Sequence, residues 1–408
     1  MMVRVFRVAV CGIHSIGALA FISIVSGCVS DSANVRNEIT NQPPPLTTEQ
    51  VALFERRTQR EEELLSSEMT AEAAAEIALL HHPAVERALE TLGMSGFDRL
   101  ELAHVINPNF NGGRPPATID TRIERSLSVN VMTWVIIPAL AISGTLEERA
   151  ARVQAADEIG ALLFAARHAW VNAVATRQSQ RYFEDVVVAT EVGREIMESM
   201  LQVGNSSELE MLRAQALYAD AVTNLTTMQL AAALARERLV QTLGLWGETA
   251  EQVQLPDRLP DLPFAPIPAD GLEVRAVAQR FDVHVGRLEG LAGEAGVNAR
   301  ADIRTAWLAY RGAYDLARHS QNAIVPLAER ALEERLKLYN GMLIGVLDLV
   351  VDATERINAV TVSLDAQRDF WLAEVDLQRA MSGVGVSALT FQAGAQGGYA
   401  PGAAYHVH

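Results

Sequence analysis

Two pairs of long helical segments, the second pair repeating the first, set the fold before any single motif does. Residues 146–202 contain no proline and only two glycines, Gly160 and Gly193, with apolar side chains at three- and four-residue spacings such as Leu162, Ala165, Ala169 and Val174. That periodicity predicts one helix, a rod of about 85 Å at the α-helical rise. Residues 206–243 predict a second of about 57 Å. The pair returns at 300–340 and 345–381, where Pro326 predicts a kink. Ala169-Trp170 and Ala306-Trp307 are separated by the same interval as Gly204 and Gly341, and the segments end at Leu243-Gly244 and Ser382-Gly383, two residues out of that register. Upstream, residues 77–90 (IALLHHPAVERALE) resemble 276–289 (AVAQRFDVHVGRLE). The chain is two copies of one unit.

The copies differ in one place. From Leu89 to Trp170 the first copy has 81 steps; from Leu288 to Trp307 the second has 19, so 62 residues are missing there. The extra residues of the first copy read as strands. Ser126-Leu127-Ser128-Val129-Asn130-Val131 alternates polar and apolar, residues 100–111 form a second candidate strand, and Gly112-Gly113-Arg114-Pro115-Pro116 is a loop by composition. The expected fold is therefore mainly α: two repeats of long antiparallel helical hairpins of α-barrel or coiled-coil type, with one β-hairpin inserted at about 100–137. The expected organisation is a signal peptide (1–27), a lead-in with a short helix (28–69), the first repeat (70–246), a Pro-rich linker (247–270), the second repeat lacking the hairpin (271–383) and a Gly- and Ala-rich disordered tail (384–408). Pro256, Pro260, Pro263, Pro266 and Pro268 mark the linker.

The first segment reads as an address. Arg4 and Arg7 precede an uncharged run from Val8 to Val25, which closes on Ser26-Gly27-Cys28. A basic start, an apolar run and small residues before a cut site make a secretory signal. Small residues before a cysteine resemble the bacterial lipobox, which implies cleavage before Cys28 and covalent lipid, palmitate included, on that residue. The other reading is a transmembrane anchor with an incidental cysteine. Val29, in place of an aspartate, points to outer-membrane sorting. The only other cysteine, Cys11, leaves with the signal, so no disulfide framework is expected. With 34 basic against 50 acidic side chains and a net charge of −16, a nucleic-acid backbone is excluded as partner.

A lipobox, two copies and paired helices with a hairpin near the start of a copy resemble the outer-membrane efflux (TolC-like) family. Leu201-Gln202-Val203-Gly204-Asn205-Ser206 and Leu338-Tyr339-Asn340-Gly341-Met342-Leu343 are similar to that family's glycine turns at the periplasmic tips of its helices. Leu243-Gly244-Leu245 resembles the end of its first repeat, and Ala278-Gln279-Arg280-Phe281-Asp282-Val283 the opening of its second. Tyr339–Leu349 and Arg368-Asp369-Phe370-Trp371-Leu372 resemble its lipoprotein branch, often associated with metal efflux. The resemblance implies a homotrimeric duct in the bacterial outer membrane, lipid-anchored and mostly periplasmic, fed by a periplasmic adaptor and an inner-membrane pump. It also implies four strands per protomer, where this chain supplies two. A trimer would then have six strands, below the roughly eight at which single-chain outer-membrane barrels begin. A non-conducting, lipid-anchored periplasmic scaffold that binds an adaptor is the alternative.

By that resemblance the tip turns, Gly204, Asn205, Gly341 and Met342, are the adaptor contact. A tight turn between antiparallel helices favours glycine with positive φ at Gly204 and Gly341. Glu208, Glu210, Asp348 and Asp352 follow the turns and in a trimer would form acidic rings around an aperture; the other reading is a helix start, where acids suit the dipole. His81-His82 lacks chelating spacing, since adjacent helical side chains diverge, and His406 and His408 are terminal; no metal site is expected. Trp170 and Trp307 are expected as packing anchors and Glu61-Glu62-Glu63 as a solvated face. No nucleophile elbow, H-E-x-x-H or phosphate loop occurs. The expected protein is not an enzyme and needs no cofactor beyond the lipid on Cys28.

Overall fold

The structure, a computed structural model, describes residues 48–93, 145–283, 285, 290 and 292–384. The signal segment, Cys28, the hairpin at about 100–137 and residues 385–408 lie outside the described residues. The chain divides into two units: residues 1–52, of which 48–52 are described and are helical, and residues 53–408, which hold the rest.

Helix α1 (Thr48–Leu65) is followed by α2 (Ala71–His81) and α3 (Pro83–Leu92). Helix α4 (Leu146–Gln202) and α5 (Glu208–Leu243) make the first long hairpin. A short α6 (Glu248–Glu251) opens the linker and α7 (Leu272–Gln279) the second copy. Helix α8 (Ala292–His319) continues through a π-helical turn, Ser320–Ile324, into α9 (Val325–Asn340), and α10 (Val346–Ser382) returns. The kink expected at Pro326 is this π turn. Proline lacks the N–H that an α-helix requires and its ring crowds the carbonyl four residues back, and the wider turn accommodates both. Helix α8 begins eight residues before the expected 300, so the Gly-containing stretch after Ala292 is helical.

Local chemistry fixes the helix starts. Thr145 caps α4 through a reciprocal box: its hydroxyl accepts from the Glu148 N–H at 3.2 Å and its own N–H donates to Glu148 Oε2 at 2.9 Å. Thr70 caps α2 by accepting from the Ala73 N–H.

Two main cores form, the first drawing also on Phe281, Val285, Val375 and Val384 of the second copy. In the first, small and aliphatic residues of α2 and α3 pack on the opening half of α4 and the end of α5, with Ala74, Ile77, Ala166, Val174 and Leu243 fully buried. In the second, α7, α8 and α10 meet around Phe370, whose ring lies 5.4 Å from Tyr310 and 5.8 Å from Tyr314. Small alanines pack closely in the first core, and aromatic rings fill much of the second. The copies are tied together along α4 and α10, where Arg167 donates to Gln378 Oε1 at 3.0 Å and His168 Nε2 lies 2.9 Å from Asp376 Oδ1.

The repeat is visible in single hydrogen bonds. Trp170 donates its indole N–H to the carbonyl of Met69, just before α2, and Trp307 donates to that of Ile267, before α7. Trp170 is buried and Trp307 half-buried, and each pins the incoming chain. The linker is held in the same way: Trp371 and Gln367 both donate to the Pro260 carbonyl, and the Tyr314 hydroxyl to that of Pro263. Among the described residues no helix is long and apolar enough to cross a membrane.

Candidate functional site

The two helical turns that carry the expected tip residues have the same hydrogen-bond pattern in different registers. At the first, the Gly204 N–H donates to the Leu201 carbonyl at 3.0 Å and the Asn205 N–H to that of Met200 at 2.8 Å, with Gly204 at φ 76°. This is the Schellman arrangement, which places a left-handed residue just past the helix end. At the second, Met342 donates to Tyr339 at 2.9 Å and Leu343 to Leu338 at 3.0 Å. The left-handed residue here is Met342, at φ 58°, while Gly341 has φ −79°. The expectation of a left-handed Gly341 is corrected: Gly204 corresponds to Met342, one residue on. A non-glycine residue in this region is disfavoured by about 1–2 kcal/mol. Met342→Gly is therefore expected to stabilise the second tip by about 1 kcal/mol, and Gly204→Ala to destabilise the first by a similar amount, both read from urea unfolding of the intact chain.

The carboxylates past the turns are not equivalent. Glu210 closes a capping box on α5. Its Oε2 accepts from the Ser207 N–H at 2.8 Å and from the Ser206 and Ser207 hydroxyls at 3.0 Å, while Ser207 Oγ accepts from the Glu210 N–H. Those donors, the Ser207 backbone N–H foremost, hold the carboxyl below the usual carboxylate range. The bonded form is the charged one, so this contribution is complete above the pKa of an unfolded glutamate and is lost as pH falls through the lower folded value. Amide protection factors at 207–212 are expected to fall in acid, with Glu210→Ala abolishing that acid dependence. Ser207→Ala should weaken the same start by about 1 kcal/mol.

Asp352 is buried, with Oδ2 2.8 Å from Arg335 Nε on the facing helix α9. Glu208 is exposed in the first turn of α5. Asp348 occupies the third position of α10, whose cap, Gly345, offers no side chain. The tips are also apolar, with Val203 70% exposed, Met342 92% and Leu343 73%.

His81 and His82 lie at the junction of α2 and α3. His82 stands between α2 and α3 and its Nδ1 accepts from the Ala84 N–H at 3.3 Å, so it caps α3. His81 Nδ1 lies 3.3 Å from an Arg57 nitrogen and its Nε2 3.3 Å from Glu61. Glu61 therefore leaves the solvated face expected for 61–63: it is half-buried, and burial raises its pKa. No group of three metal-ligating side chains occurs among the described residues.

Sequence reasoning missed the junctions beside these histidines. Gly244 and Gly383 end α5 and α10 at φ 73° and 72°. A Cβ on Gly244 would lie 2.8 Å from the His82 Cα, and one on Gly383 2.3 Å from Asp282 Oδ1 and 2.9 Å from the Arg280 Cβ. Arg280 is fully buried there, donating to Asp282 at 2.6 and 2.8 Å, to Asp302 at 3.0 Å and to the Ala380 carbonyl at 3.0 Å. Each repeat thus locks its last long helix onto the break in its first short one. Arg280 matches His82, since both cap a short helix, although the sequence repeat pairs His82 with Phe281, one residue away.

No protein-family model matches the sequence, and no curated protein matches it. Solved structures do. CusC, studied for transmembrane channel formation, aligns over 77% of this chain and 92% of its own with a TM-score of 0.53 at 12% identity. The outer-membrane protein VceC of Vibrio cholerae covers 77% and 96%, with a TM-score of 0.50 at 15% identity. The fold is that of the TolC-like outer-membrane efflux channels. The CmeC outer-membrane channel of Campylobacter jejuni gives the same result, at 12% identity, a TM-score of 0.52, and 77% and 85% coverage.

The interval between α7 and α8 is short. Only eleven residues separate Arg280, the cap of α7, from Ala292, where α8 begins. Two membrane-crossing strands need about 9–11 residues each, more than this interval holds.

Proposed function

We propose that this chain is the outer-membrane exit duct of a tripartite efflux system, a passive conduit for small toxic solutes or metal ions with no catalytic step. The observation that carries this reading is the pair of complete helical hairpins, matching channel proteins over nearly their full length. Lipid on Cys28 would hold it to the outer membrane, most of its mass in the periplasm, with no cofactor besides. A homotrimer is supported by apolar stripes left open on the long helices. Val188, Val192 and Ile196 on α4, each four residues from the next, are 61%, 50% and 55% exposed, as expected of faces that another copy covers.

A periplasmic adaptor would dock on the tips around Gly204, Asn205, Gly341 and Met342, guided by the exposed Val203 and Leu343, and would couple the duct to an inner-membrane pump. Glu208 and Asp348 would supply the acidic rings of the aperture, whereas Glu210 and Asp352 hold the turns in shape.

The short interval between α7 and α8 favours a second reading, a lipid-anchored scaffold that binds the adaptor without conducting. Deletion of the gene tests the transport reading: susceptibility to at least one metal or toxic compound should rise and be restored by the intact gene. Resistance unchanged across a broad panel would contradict it.

A further inference from the structure

On the tip side of the small apolar cluster formed by Phe183, Val186 and Ala221, a cavity of about 750 Å3 opens between the two long hairpins. It runs along α4 from Tyr182 to Met200, about 27 Å at the helical rise, so it is a slot, not a bowl. Its volume is within the range of small-molecule sites, and its walls are mostly aliphatic.

Three features distinguish it from a packing gap. The Tyr182 hydroxyl is buried and has no hydrogen-bond partner, which is costly unless something supplies one. Arg356 lies beside it at the same end of the slot and acts electrostatically on the phenol; its partner Glu329 meets one guanidinium nitrogen at 3.5 Å. Halfway along, Gly193 interrupts a long helix with neither a turn nor a close approach to require it, and a Cβ there would meet nothing within 4 Å. Helix propensity disfavours glycine at such a place, and its effect is to leave the slot open. The acidic lining residue, Asp185, is exposed.

Of the other polar lining residues, Arg194 is paired with Glu198 at 3.3 Å, so the polar end and the mostly aliphatic walls beyond it define the occupant. We propose that the slot binds an elongated amphiphile, its carboxylate head at Tyr182 and Arg356 and its alkyl chain passing Gly193 to reach Met197 and Met200. The phenol donates to the carboxylate, the guanidinium balances its charge, and the chain displaces water from aliphatic walls. This site is independent of the duct reading, since a scaffold would carry it equally.

A long-chain fatty acid with a terminal diazirine tests the proposal on the purified full-length protein in a peptide nanodisc. Irradiation should label peptides containing Met197, Met200 or Leu336, and excess unmodified acid should chase the label. Tyr182→Phe, which removes one oxygen, should weaken half-saturation about tenfold, the loss expected of a hydrogen bond to a charged group. Gly193→Leu should abolish labelling while preserving the helical circular dichroism; if it does not fold, Tyr182→Phe decides. Unsaturable labelling along the exposed faces of α4 and α5, label concentrated at the Tyr182 end, or labelling unchanged in both variants would overturn it.

Discussion

Gly244→Ala is expected to destabilise the folded chain by about 3 kcal/mol, one of the two largest effects of a single substitution anticipated for this protein. Two costs combine. An alanine at φ 73° bears the left-handed penalty of about 1–2 kcal/mol. Its Cβ would also meet the His82 Cα at 2.8 Å, the His82 nitrogen at 3.0 Å and the His81 carbonyl carbon at 3.1 Å. These are backbone atoms at the junction of α2 and α3, so they cannot swing aside as the end of a side chain would. Gly93→Ala is the matched control. Gly93 ends α3 at φ 72° with nothing within 4 Å of its absent Cβ, so it should cost only about 1 kcal/mol. The difference between the two, measured by urea unfolding of the full chain, isolates the close approach. Equal losses would mean that the junction opens freely.

Arg280→Met should cost about 3 kcal/mol, because it strands two carboxylates that the guanidinium now joins. The side chain of Arg280 is wholly buried, whereas those of Asp282 and Asp302 remain 31% and 26% exposed. Water can reach the orphaned acids in part, which places the loss at the lower end of the range for breaking a buried pair. Adding Asp282→Asn and Asp302→Asn to Arg280→Met should recover much of the stability, since the penalty is that of unpaired charge. Arg368, paired with Asp365 and Asp369 on the surface of α10, provides the contrast: Arg368→Met should cost less than about 1 kcal/mol. If Arg280→Met costs no more than the surface variant, Arg280 does not lock the second repeat.

Much of this was legible because long helices announce themselves. Proline-free runs with mixed three- and four-residue apolar spacing can only bury their stripes against one another. The tryptophans marked the equivalence of the copies because indole is rare here and occupies the same place in each. The register at the tips and junctions was not legible to a single residue. The left-handed residue of a turn is usually glycine but need not be, so matching Gly204 to Gly341 was plausible in sequence and one residue out in space. The carboxylates were equally ambiguous. Glu210 and Asp352 resemble Glu208 and Asp348 in sequence, and only their partners, Ser207 and Arg335, separate them. Arg280 stood inside a recognised motif, yet nothing in its spacing indicates that Asp302 would reach it from another helix. The slot has no sequence mark beyond Gly193, a glycine without a turn.

The most direct test of the duct is single-channel conductance of the purified, lipidated chain in a planar bilayer, with its oligomeric mass determined in the same preparation. A stable trimer giving steady ion steps is the result that the duct predicts, and it would mean that the short second repeat still permits a closed pore. A trimer or monomer that carries no current would contradict the duct and leave the adaptor-binding scaffold as the reading of this fold.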